Sequence, residues 1–493
     1  MKTEICIPII AVSVDEAILQ IKESERKSSL IELRIDFICD INKDKLKLLV
    51  ENVSKKVIVT CRTKKDNGNF NGTEKEKLEL LQEAIKLKSN YVDVEHDFEF
   101  FHEISKNRED TKIIASYHNF KETPNLGELE KIYEEINNLN QDLVKIVTLA
   151  NSINDNFEIF RLLKEKENLI SFCMGLKGQV SRILAGKYGS AITFASLDNK
   201  TESAPGQLTI KEMKEYNFEN ISQNTNVLGV IGAYAENSKS KYMHNANFKK
   251  FNLDYVYIPF KVETTELGVF MRNFREFEFA GSAVTIPHKE EMIKHIDEVD
   301  ETTKEIGAVN TLVNKDNKIT GYNTDYYGAV EALKEKTSLD GKKVLVIGAG
   351  GAARAIIYGL KKEKSIVTII NRTKEKAEKL AKEFEAHIEE MENIKKLIEE
   401  NDIIINTTSI GMKPNIDESV VDEKDFSEGK AVMDIVYNPR ITKFIKNAEK
   451  YNCNAVTGEK MLIYQAIGQF KLWTAQDPDF KLMESELNQA EGD

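Results

Sequence analysis

The chain contains 493 residues, of which 41% are hydrophobic and 30% charged, and its formal net charge is −12 at pH 7. This length exceeds what one hydrophobic core supports and predicts about three domains, while the negative charge argues against nucleic acid as the main partner. Five scattered cysteines predict no disulfide framework and a reducing compartment, the cytoplasm or an organellar stroma. The sequence has no apolar run of ~20 residues for a membrane span and no histidine pair spaced for a metal site.

Residues 1–220 alternate short apolar runs with amphipathic helical patterns. Such runs are typical of buried strands, and patterns such as 73–88 and 127–139 are typical of helices. Eight alternations predict a (β/α)8 barrel, in which the chemistry lies at the carboxyl ends of the strands. The expected strands are 4–12, 30–38, 57–61, 91–95, 112–117, 143–149, 169–174 and 191–196.

The second expected strand carries charged residues at alternating positions. Glu32, Arg34 and Asp36 are spaced by two residues, which places their side chains on one face of a strand. If that face points into the barrel, the charges occupy positions that branched apolar residues usually fill, and their burial requires compensation. A polar binding site is the favoured interpretation. A mutually paired structural network and an outward-facing strand are the alternatives.

The ends of the next strands carry residues suited to Schiff-base chemistry. Lys145 lies inside an apolar run, where burial and cations such as Arg62 or Arg182 favour the neutral amine that attacks a carbonyl. His118 suits a general base because imidazole titrates near neutrality, and Glu95 is placed to orient that ring. Singly, each residue has an ordinary structural explanation, such as a snorkelling lysine or a solvated glutamate. Together they suggest imine chemistry on a carbonyl substrate.

Over nearly its whole length this segment resembles the type I 3-dehydroquinate dehydratase family. The matching motifs are IELRID, CRT, YVDVE, ASYHNF, VKIVT, MGLKGQVSR and SAPGQ. The resemblance implies dehydration of 3-dehydroquinate to 3-dehydroshikimate through a Schiff base on Lys145, with His118 as general acid and base and Glu95 supporting the histidine. The residues that it implies for binding the carboxylate and hydroxyl groups of the substrate are Glu32, Arg34, Arg62, Arg182, Ser203 and Gln207.

A polar segment, 218–226, is expected to link the barrel to a second series of strands and helices. In that series Lys289 follows a proline at the end of an expected strand, and Asp325 lies in a turn before a helix. A lysine–aspartate pair can hold an alcohol or ketone and relay its proton while a cofactor exchanges hydride. A lone lysine is more often a surface group, so the interpretation depends on the context of Lys289.

The stretch 343–354, KVLVIGAGGAAR, is typical of a dinucleotide-binding turn. The apolar run 344–347 predicts a buried parallel strand, and an alanine-rich helical pattern follows the turn. Glycines there let a pyrophosphate approach the N–H groups at the start of the helix. The turn residues expected to bind the cofactor are Gly348, Ala349, Gly350, Gly351 and Ala352.

The next expected strand, 365–370, indicates which nicotinamide cofactor binds. It ends in Asn371, Arg372 and Thr373, without the acidic residue that holds a ribose 2′-hydroxyl. An arginine at this point suits a 2′-phosphate, so the sequence predicts NADP (NADPH). A doubly wound domain without a cofactor is the alternative.

Residues 227–473 resemble the shikimate dehydrogenase family. The motifs VTIPHKE, IGAVNT, NTD, GAGGAAR, NRT, INTTSIGM, DIVYNP and TGEKMLIYQA occur in the order of that family. The resemblance implies that Lys289 and Asp325 are the catalytic pair, that 371–373 hold the NADP phosphate, and that a helix near 465–473 folds back onto the substrate lobe. The implied shikimate ligands are Ser238, Ser240, Thr285, Asn310, Tyr437 and Gln465.

The loop 232–241 departs from the pattern of that family, G-x-P-x-x-H-S-x-S-P. Ser238 and Ser240 are present, but other residues replace both prolines and the histidine. Because proline limits the freedom of an unfolded loop, we expect this loop to be more mobile and to hold the substrate less tightly.

The two resemblances imply consecutive reactions in one α/β chain acting on small-molecule substrates, with neither nucleic acid nor membrane as a partner. The expected domains are a TIM barrel over 1–220, a substrate lobe over 226–328 completed by 465–493, and a Rossmann NADP-binding domain over 329–464. A quinate dehydrogenase in the second half is one alternative. A catalytically silent metabolite sensor is another, and it predicts loss of catalytic groups that this sequence retains.

Overall fold

The computed structural model of the protein describes residues 2–490. The chain forms two compact units: residues 1–226 with 252–273 make up the first, and residues 227–251 with 274–493 the second. The chain therefore enters the first unit twice. Among the described residues, no helix is both long enough and apolar enough to cross a membrane, and all five cysteines are free thiols.

Up to residue 226 the chain alternates strands and helices, as its sequence predicts. Strands β1–β8 are Glu4–Ile9, Leu30–Arg34, Lys56–Thr60, Tyr91–Glu95, Lys112–Asn119, Leu143–Leu149, Leu169–Met174 and Ile192–Phe194. Helices α1–α9 are Val14–Ser24, Lys43–Glu51, Glu74–Lys86, Phe101–Lys106, Leu126–Asn137, Asp155–Glu165, Gln179–Ile183, Ala185–Tyr188 and Ile210–Glu215.

These eight strands form one parallel ladder that runs in order from β7 down to β1 and continues to β8. A parallel sheet of this order, with helices between its strands, is a (β/α)8 barrel, so the predicted fold is confirmed. Apolar side chains from several strands, among them Cys6, Ile58, Ile114 and Ile170, are buried together in one core cluster.

The second strand is shorter than expected. β2 ends at Arg34, and Ile35–Phe37 form a short 3-10 turn, so Asp36 does not continue the strand face that carries Glu32 and Arg34. The prediction that all three charged residues share one strand face is therefore wrong for Asp36. The turn instead brings Asp36 back toward Arg34, whose Nε and Nη2 donate to its two carboxylate oxygens at 2.9 and 2.8 Å.

Residues 252–273 pack within the first unit. The Phe157 and Phe270 rings contact each other edge to face, with 5.9 Å between their centroids. Arg161 Nη2 donates to Asn273 Oδ1 at 2.7 Å. The first unit is therefore completed by chain that follows the barrel in sequence.

From residue 226 onward the chain has the following elements. Strands β9–β20 are Asn226–Gly232, Tyr255–Lys261, Gly281–Val284, Glu298–Val299, Thr311–Lys315, Lys318–Tyr322, Lys343–Ile347, Ile366–Ile370, His387–Ile388, Ile403–Asn406, Ala431–Asp434 and Asn454–Val456. Helices α10–α19 are Ser240–Lys250, Leu267–Glu276, Glu301–Ile306, Asp325–Lys334, Gly351–Lys362, Lys374–Phe384, Ile394–Glu400, Lys443–Lys450, Gly458–Thr474 and Phe480–Gln489.

The second unit contains two sheets. One is mixed, with neighbouring strands in the order β9-β11-β13-β14-β12. The other is entirely parallel, in the order β17-β16-β15-β18-β19-β20, and apolar clusters cover it. The strand order reverses between β15 and β18, and the crevice at such a switch point is where doubly wound sheets bind their ligands. The predicted Rossmann fold is confirmed.

Helix α18 returns to the mixed sheet. Gln469 Nε2 donates to the Asn310 carbonyl oxygen at 3.2 Å, and Trp473 Nε1 donates to the Leu312 carbonyl oxygen at 2.9 Å. These contacts agree with the sequence prediction that this helix folds back onto the substrate lobe.

Candidate active sites

The carboxyl ends of the barrel strands surround a cavity that contains most of the residues selected from the sequence of the first half. Glu95 and Gln207 lie outside the lining, each beside a residue that forms it. The selected residues in the lining are Glu32, Arg34, Arg62, His118, Lys145, Arg182 and Ser203.

Lys145 projects from the middle of β6 and is 5% exposed. Its Nζ forms an ion pair with Asp93 Oδ2 at 2.7 Å, lies 4.0 Å from Glu32 Oε1, and sits 4.4 Å from the centroid of the Phe194 ring. The immediate neighbours of the amine are thus two carboxylates and an aromatic face, whereas the sequence argument placed cations around it.

Asp93, in the middle of β4, connects the lysine to Arg62. Arg62 Nη2 donates to Asp93 Oδ1 at 2.8 Å, and the Ser116 hydroxyl donates to the same oxygen at 2.7 Å. Burial opposes ionisation of Asp93, but Arg62 and Lys145 outweigh it and hold the pKa of this carboxyl far below its usual range. Asp93 is therefore a fixed negative charge between two cations.

His118 lies at the end of β5, where Arg62 Nη1 is 3.4 Å from its Nδ1. Burial, together with the positive charges of Arg62 and Lys145, lowers the pKa of His118 well below 6.5. The imidazole is thus neutral at physiological pH, which is the form that accepts a proton.

Glu95 was expected to orient the His118 ring, but it contacts Lys77 and Arg62. Its Oε2 forms an ion pair with Lys77 of α3, and its Oε1 lies 3.7 Å from Arg62 Nη1. Within the described chain, Glu95 Oε1 accepts no hydrogen bond, from His118 or any other residue. Glu95 therefore lies beside Arg62 and does not hold the His118 ring directly.

Arg182 is the most deeply buried cation that lines the cavity. It is 1% exposed, its guanidinium lies 4.2 Å from the Phe172 ring centroid, and its Nη1 donates to the Phe194 carbonyl oxygen at 3.3 Å. Its Nε has no hydrogen-bond partner among the described residues. Burial lowers its pKa to about 10. A desolvated guanidinium with an unused donor is suited to a carboxylate ligand.

The remaining polar residues of this site are held by short hydrogen bonds. Thr60 Oγ1 donates to Glu32 Oε1 at 2.7 Å. The backbone N–H and the hydroxyl of Ser203 both donate to Gln207 Oε1, at 2.7 and 2.9 Å. Gln207 Nε2 is buried without a partner in the part of the chain that the structure describes, so it is available to donate to a ligand.

Two acidic residues of this site were missed by the sequence argument. Asp93 lies two residues before Glu95 and faces the same way, a spacing that could have indicated it. Asp66 lines the cavity from the loop after β3. Burial, aided by the Glu95 carboxylate, raises the pKa of Asp66.

The second site is centred on an ion pair between Lys289 Nζ and Asp325 Oδ2. Asp325 begins α13, and its Oδ1 accepts a hydrogen bond from Asn310 Nδ2 at 2.8 Å. The same amide nitrogen lies 3.0 Å from the Thr324 hydroxyl and 3.4 Å from Gln465 Oε1. Lys289 and Asn310, from two other segments of the chain, thus hold the Asp325 carboxylate, and the prediction that Lys289 and Asp325 lie together agrees with this geometry.

The other expected substrate ligands make contacts of their own. Ser240 begins α10, and its N–H donates to the Ser238 hydroxyl at 3.3 Å. Thr285 packs closely against Gly232, since a Cβ on that glycine would lie 2.4 Å from Thr285 Cγ2. Tyr437 is half-buried after β19, where burial raises the pKa of its phenol.

The glycine-rich turn joins β15 to α14. Gly348 has φ +120, and a Cβ there would lie 2.4 Å from Thr407 Oγ1, so both its conformation and its close approach require glycine. The Cβ position of Gly350 has nothing within 4 Å, which leaves space above the start of the helix. The Cβ position of Gly351 is 3.4 Å from Lys289 Cβ, so the turn adjoins the ion pair.

The end of β16 supplies the remaining cofactor candidates. Asn371 Nδ2 donates to the Thr373 carbonyl oxygen at 2.8 Å, which shapes the turn into α15. Arg372 is exposed and forms no ion pair with any other described residue. An open helix amino terminus and a free guanidinium beside it fit the pyrophosphate and the 2′-phosphate of NADP.

Four protein-family models match successive parts of the chain. Residues 5–222 match the type I 3-dehydroquinase model. Residues 230–312 match the shikimate dehydrogenase substrate-binding domain, residues 331–457 the shikimate/quinate 5-dehydrogenase model, and residues 458–487 the shikimate 5′-dehydrogenase C-terminal domain.

Curated relatives span either the whole chain or its second half. A chloroplastic bifunctional 3-dehydroquinate dehydratase/shikimate dehydrogenase of Arabidopsis thaliana is 36% identical over 95% of this chain and 82% of its own length. The NADP(+) shikimate dehydrogenase of Methanocaldococcus jannaschii is 42% identical over 54% of this chain and 98% of its own. A crystal structure of a shikimate dehydrogenase in complex with NADP+ superimposes with a TM-score of 0.53 and 41% identity, and covers 55% of this chain and 97% of that chain.

Proposed function

Because this chain belongs to the bifunctional 3-dehydroquinate dehydratase/shikimate dehydrogenase family, it combines both activities, and we propose which of its residues carry out each reaction. The proposal rests on one observation: a buried lysine faces a neutral histidine in the barrel cavity. A second lysine, paired with an aspartate, adjoins the dinucleotide-binding turn of the other unit.

In the barrel, we propose that Lys145 attacks the ketone carbon of 3-dehydroquinate and forms an imine with loss of water. The imine makes the neighbouring C–H bond acidic, and His118 removes that proton. The protonated His118 then returns the proton to the departing hydroxyl group, which leaves as water. Hydrolysis of the imine releases 3-dehydroshikimate and regenerates Lys145.

The same cavity provides charges for the rest of the substrate. We propose that Arg182, with its unused Nε donor, binds the carboxylate, assisted by Arg62 and Arg34. Glu32, Ser203 and Gln207 bind the hydroxyl groups, because each presents an acceptor or donor at or beside the cavity.

The pH dependence of the dehydratase tests the role of His118. Since the pKa of its imidazole is lowered well below 6.5, the neutral base persists as the solution becomes acidic, and the rate falls only when pH drops through that low value. We expect the acid limb of kcat/KM for 3-dehydroquinate to lie well below pH 6.5. The exposed His102 offers a control, since H102Q should leave the profile unchanged. An acid limb at 6.5 or above would contradict the assignment.

In the second unit, we propose that Lys289 donates a proton to the ketone oxygen of 3-dehydroshikimate as it becomes the hydroxyl of shikimate. Asp325, held by Asn310, positions the lysine and the forming hydroxyl. Bound NADPH supplies the hydride. Ser238, Ser240, Thr285, Tyr437 and Gln465 bind the remaining oxygen atoms of the substrate.

The proposed cofactor site consists of the turn residues Gly348 to Ala352 and the segment Asn371 to Thr373, and it predicts a specific change in cofactor preference. Replacing Arg372 with alanine should raise the KM for NADPH about 10- to 100-fold, because a charge-assisted hydrogen bond to the 2′-phosphate contributes ~1.5–3 kcal/mol. The KM for NADH, which lacks that phosphate, should change little. K379A, on the exposed face of α15, is the control. Equal effects on both cofactors would place Arg372 outside the phosphate site.

We also propose the domain boundaries given by the sequence: a barrel over 1–220, a substrate lobe over 226–328 completed by 465–493, and a cofactor domain over 329–464.

We further propose a reducing, cytoplasmic compartment, which the five free thiols support. The negative net charge supports small-molecule partners without nucleic acid.

A single-vessel assay tests both activities together. With 3-dehydroquinate and NADPH, we expect NADPH to be oxidised and shikimate to accumulate. If NADPH is not consumed, 3-dehydroshikimate is supplied directly. NADPH oxidation would then show that the dehydratase half is inactive, whereas no oxidation would show that the dehydrogenase half is inactive. Oxidation of quinate with NADP at a rate equal to that of shikimate would favour the quinate dehydrogenase alternative.

A further inference from the structure

Lys77 is a buried cation to which the proposed mechanism gives no part. It lies in the first turns of α3 and is 1% exposed, and it ranks among the largest fully buried side chains of the described chain. Its Nζ forms an ion pair with Glu95 Oε2 and sits 4.5 Å from the centroid of the Phe98 ring.

Stability alone does not account for this lysine. A positive charge near the amino terminus of a helix opposes the helix dipole. A buried ion pair is often no more stabilising than apolar residues of the same volume, because both charges must be desolvated. The packing of α3 on the barrel therefore does not by itself require a charged pair at this position.

The contacts of Glu95 lead from Lys77 to the catalytic histidine. Glu95 Oε2 is held by Lys77, which leaves Oε1 directed toward Arg62 Nη1, 3.7 Å away. The same Nη1 lies 3.4 Å from His118 Nδ1 and donates a hydrogen bond to the Ser116 hydroxyl at 3.1 Å. Glu95, His118 and Ser116 therefore surround this nitrogen.

We propose that Lys77 is a positioning residue of the dehydratase site. It fixes the orientation of the Glu95 carboxylate, and Glu95 in turn holds the Arg62 guanidinium against His118. This inference rests on the proposed role of His118 as the general acid and base. Lys77 itself touches neither substrate nor reacting atoms.

The first test replaces Lys77 with methionine, which keeps the volume and length of the side chain and removes its charge. We expect kcat for 3-dehydroquinate to fall on the order of tenfold to hundredfold, because a small displacement of a catalytic group has effects of this size. The KM should change less than kcat, since the carboxylate-binding Arg182 is untouched and only the assisting Arg62 is displaced. K77R should recover most of the rate, and 3-dehydroshikimate reduction by the same sample should be unchanged.

A double-variant cycle separates positioning from simple destabilisation. If Lys77 acts through Glu95, K77M should lower kcat in the natural background but change it less than about twofold in an E95Q background. The double variant K77M/E95Q removes both charges of the buried pair. It should therefore fold even if K77M alone, which leaves the Glu95 carboxylate unpaired, does not. An equal loss in both backgrounds would overturn the inference, as would K77M with full kcat.

Borohydride trapping distinguishes failure of this inference from failure of the proposed function. Reduction of the imine should attach the product covalently to Lys145 in the wild type and in K77M, which a mass measurement detects. Absence of the adduct in the wild type would refute the Schiff-base proposal. Presence of the adduct with an unchanged rate in K77M would refute only the role of Lys77.

Discussion

Replacing Lys145 with alanine should abolish dehydration of 3-dehydroquinate, with a loss in kcat of about 10⁴-fold or more, because the nucleophile and the imine both disappear. Binding should survive in part, since Arg182 and Arg62 remain. Reduction of 3-dehydroshikimate by the same chain should proceed at the wild-type rate. The measurement is the appearance of 3-dehydroshikimate from 3-dehydroquinate without NADPH, alongside NADPH oxidation with 3-dehydroshikimate supplied.

The controls for this experiment come from the chain itself. Lys112 is the exposed first residue of β5, at the end of the strand away from His118, so K112A should retain both activities. The one tryptophan, Trp473, belongs to the second unit, so its fluorescence reports the folding of that unit independently of the barrel. A K145A chain that still dehydrates at more than a few per cent of the wild-type rate would rule out the imine mechanism.

The second large effect concerns Lys289. Replacing it with alanine should lower kcat for 3-dehydroshikimate reduction by about 10³-fold, because a positioned general acid contributes 10²- to 10⁴-fold. The KM for NADPH should stay close to that of the wild type, since the turn and Arg372 are unchanged. With 3-dehydroquinate and NADPH, this chain should accumulate 3-dehydroshikimate and form almost no shikimate.

A companion substitution checks that the loss is chemical. D325N keeps the shape of the side chain and its contact with Asn310 but removes the charge that pairs with Lys289. We expect a loss of similar order, and K289A combined with D325N should be little worse than either alone, because the two residues act as one unit. Additive losses would indicate separate roles.

Periodicity and spacing predicted the fold and the strands that carry the candidate site residues of the barrel. The runs at Tyr91–Glu95, Leu143–Leu149 and Leu169–Met174 were predicted to the residue, because a fully buried parallel strand is a continuous apolar segment between polar ones. Strand ends in a barrel converge, so Lys145 and His118 could be placed together without coordinates.

Contacts between elements distant in sequence could not be predicted in the same way. Cations were predicted around Lys145, but the nearest charged group is the Asp93 carboxylate on another strand. Glu95 was predicted to orient His118, whereas the ion pair with Lys77 of α3 turns the carboxylate toward Arg62. Period-two spacing gives the face of a strand but not which of several charges on neighbouring elements will pair.

Turns that end strands were the other source of error. Asp36 continues the alternation of Glu32 and Arg34 in sequence, yet the chain leaves the strand at Arg34. The bidentate bond between Arg34 and Asp36 closes that turn locally, and a two-residue spacing does not distinguish it from an extended strand.

The first unit is built from two separate segments of the chain, 1–226 and 252–273, and this affects its folding during synthesis. A ribosome that has synthesised residue 226 has produced every barrel strand, but Asn273, the partner of Arg161, is still missing. At about 5–20 residues per second, the remaining segment takes roughly 2–10 s to synthesise. During that interval Phe157 lacks the Phe270 ring that contacts it in the complete unit. A stop codon placed after residue 226 would make this loss of contact permanent, so we expect the isolated barrel to aggregate more readily than the full chain.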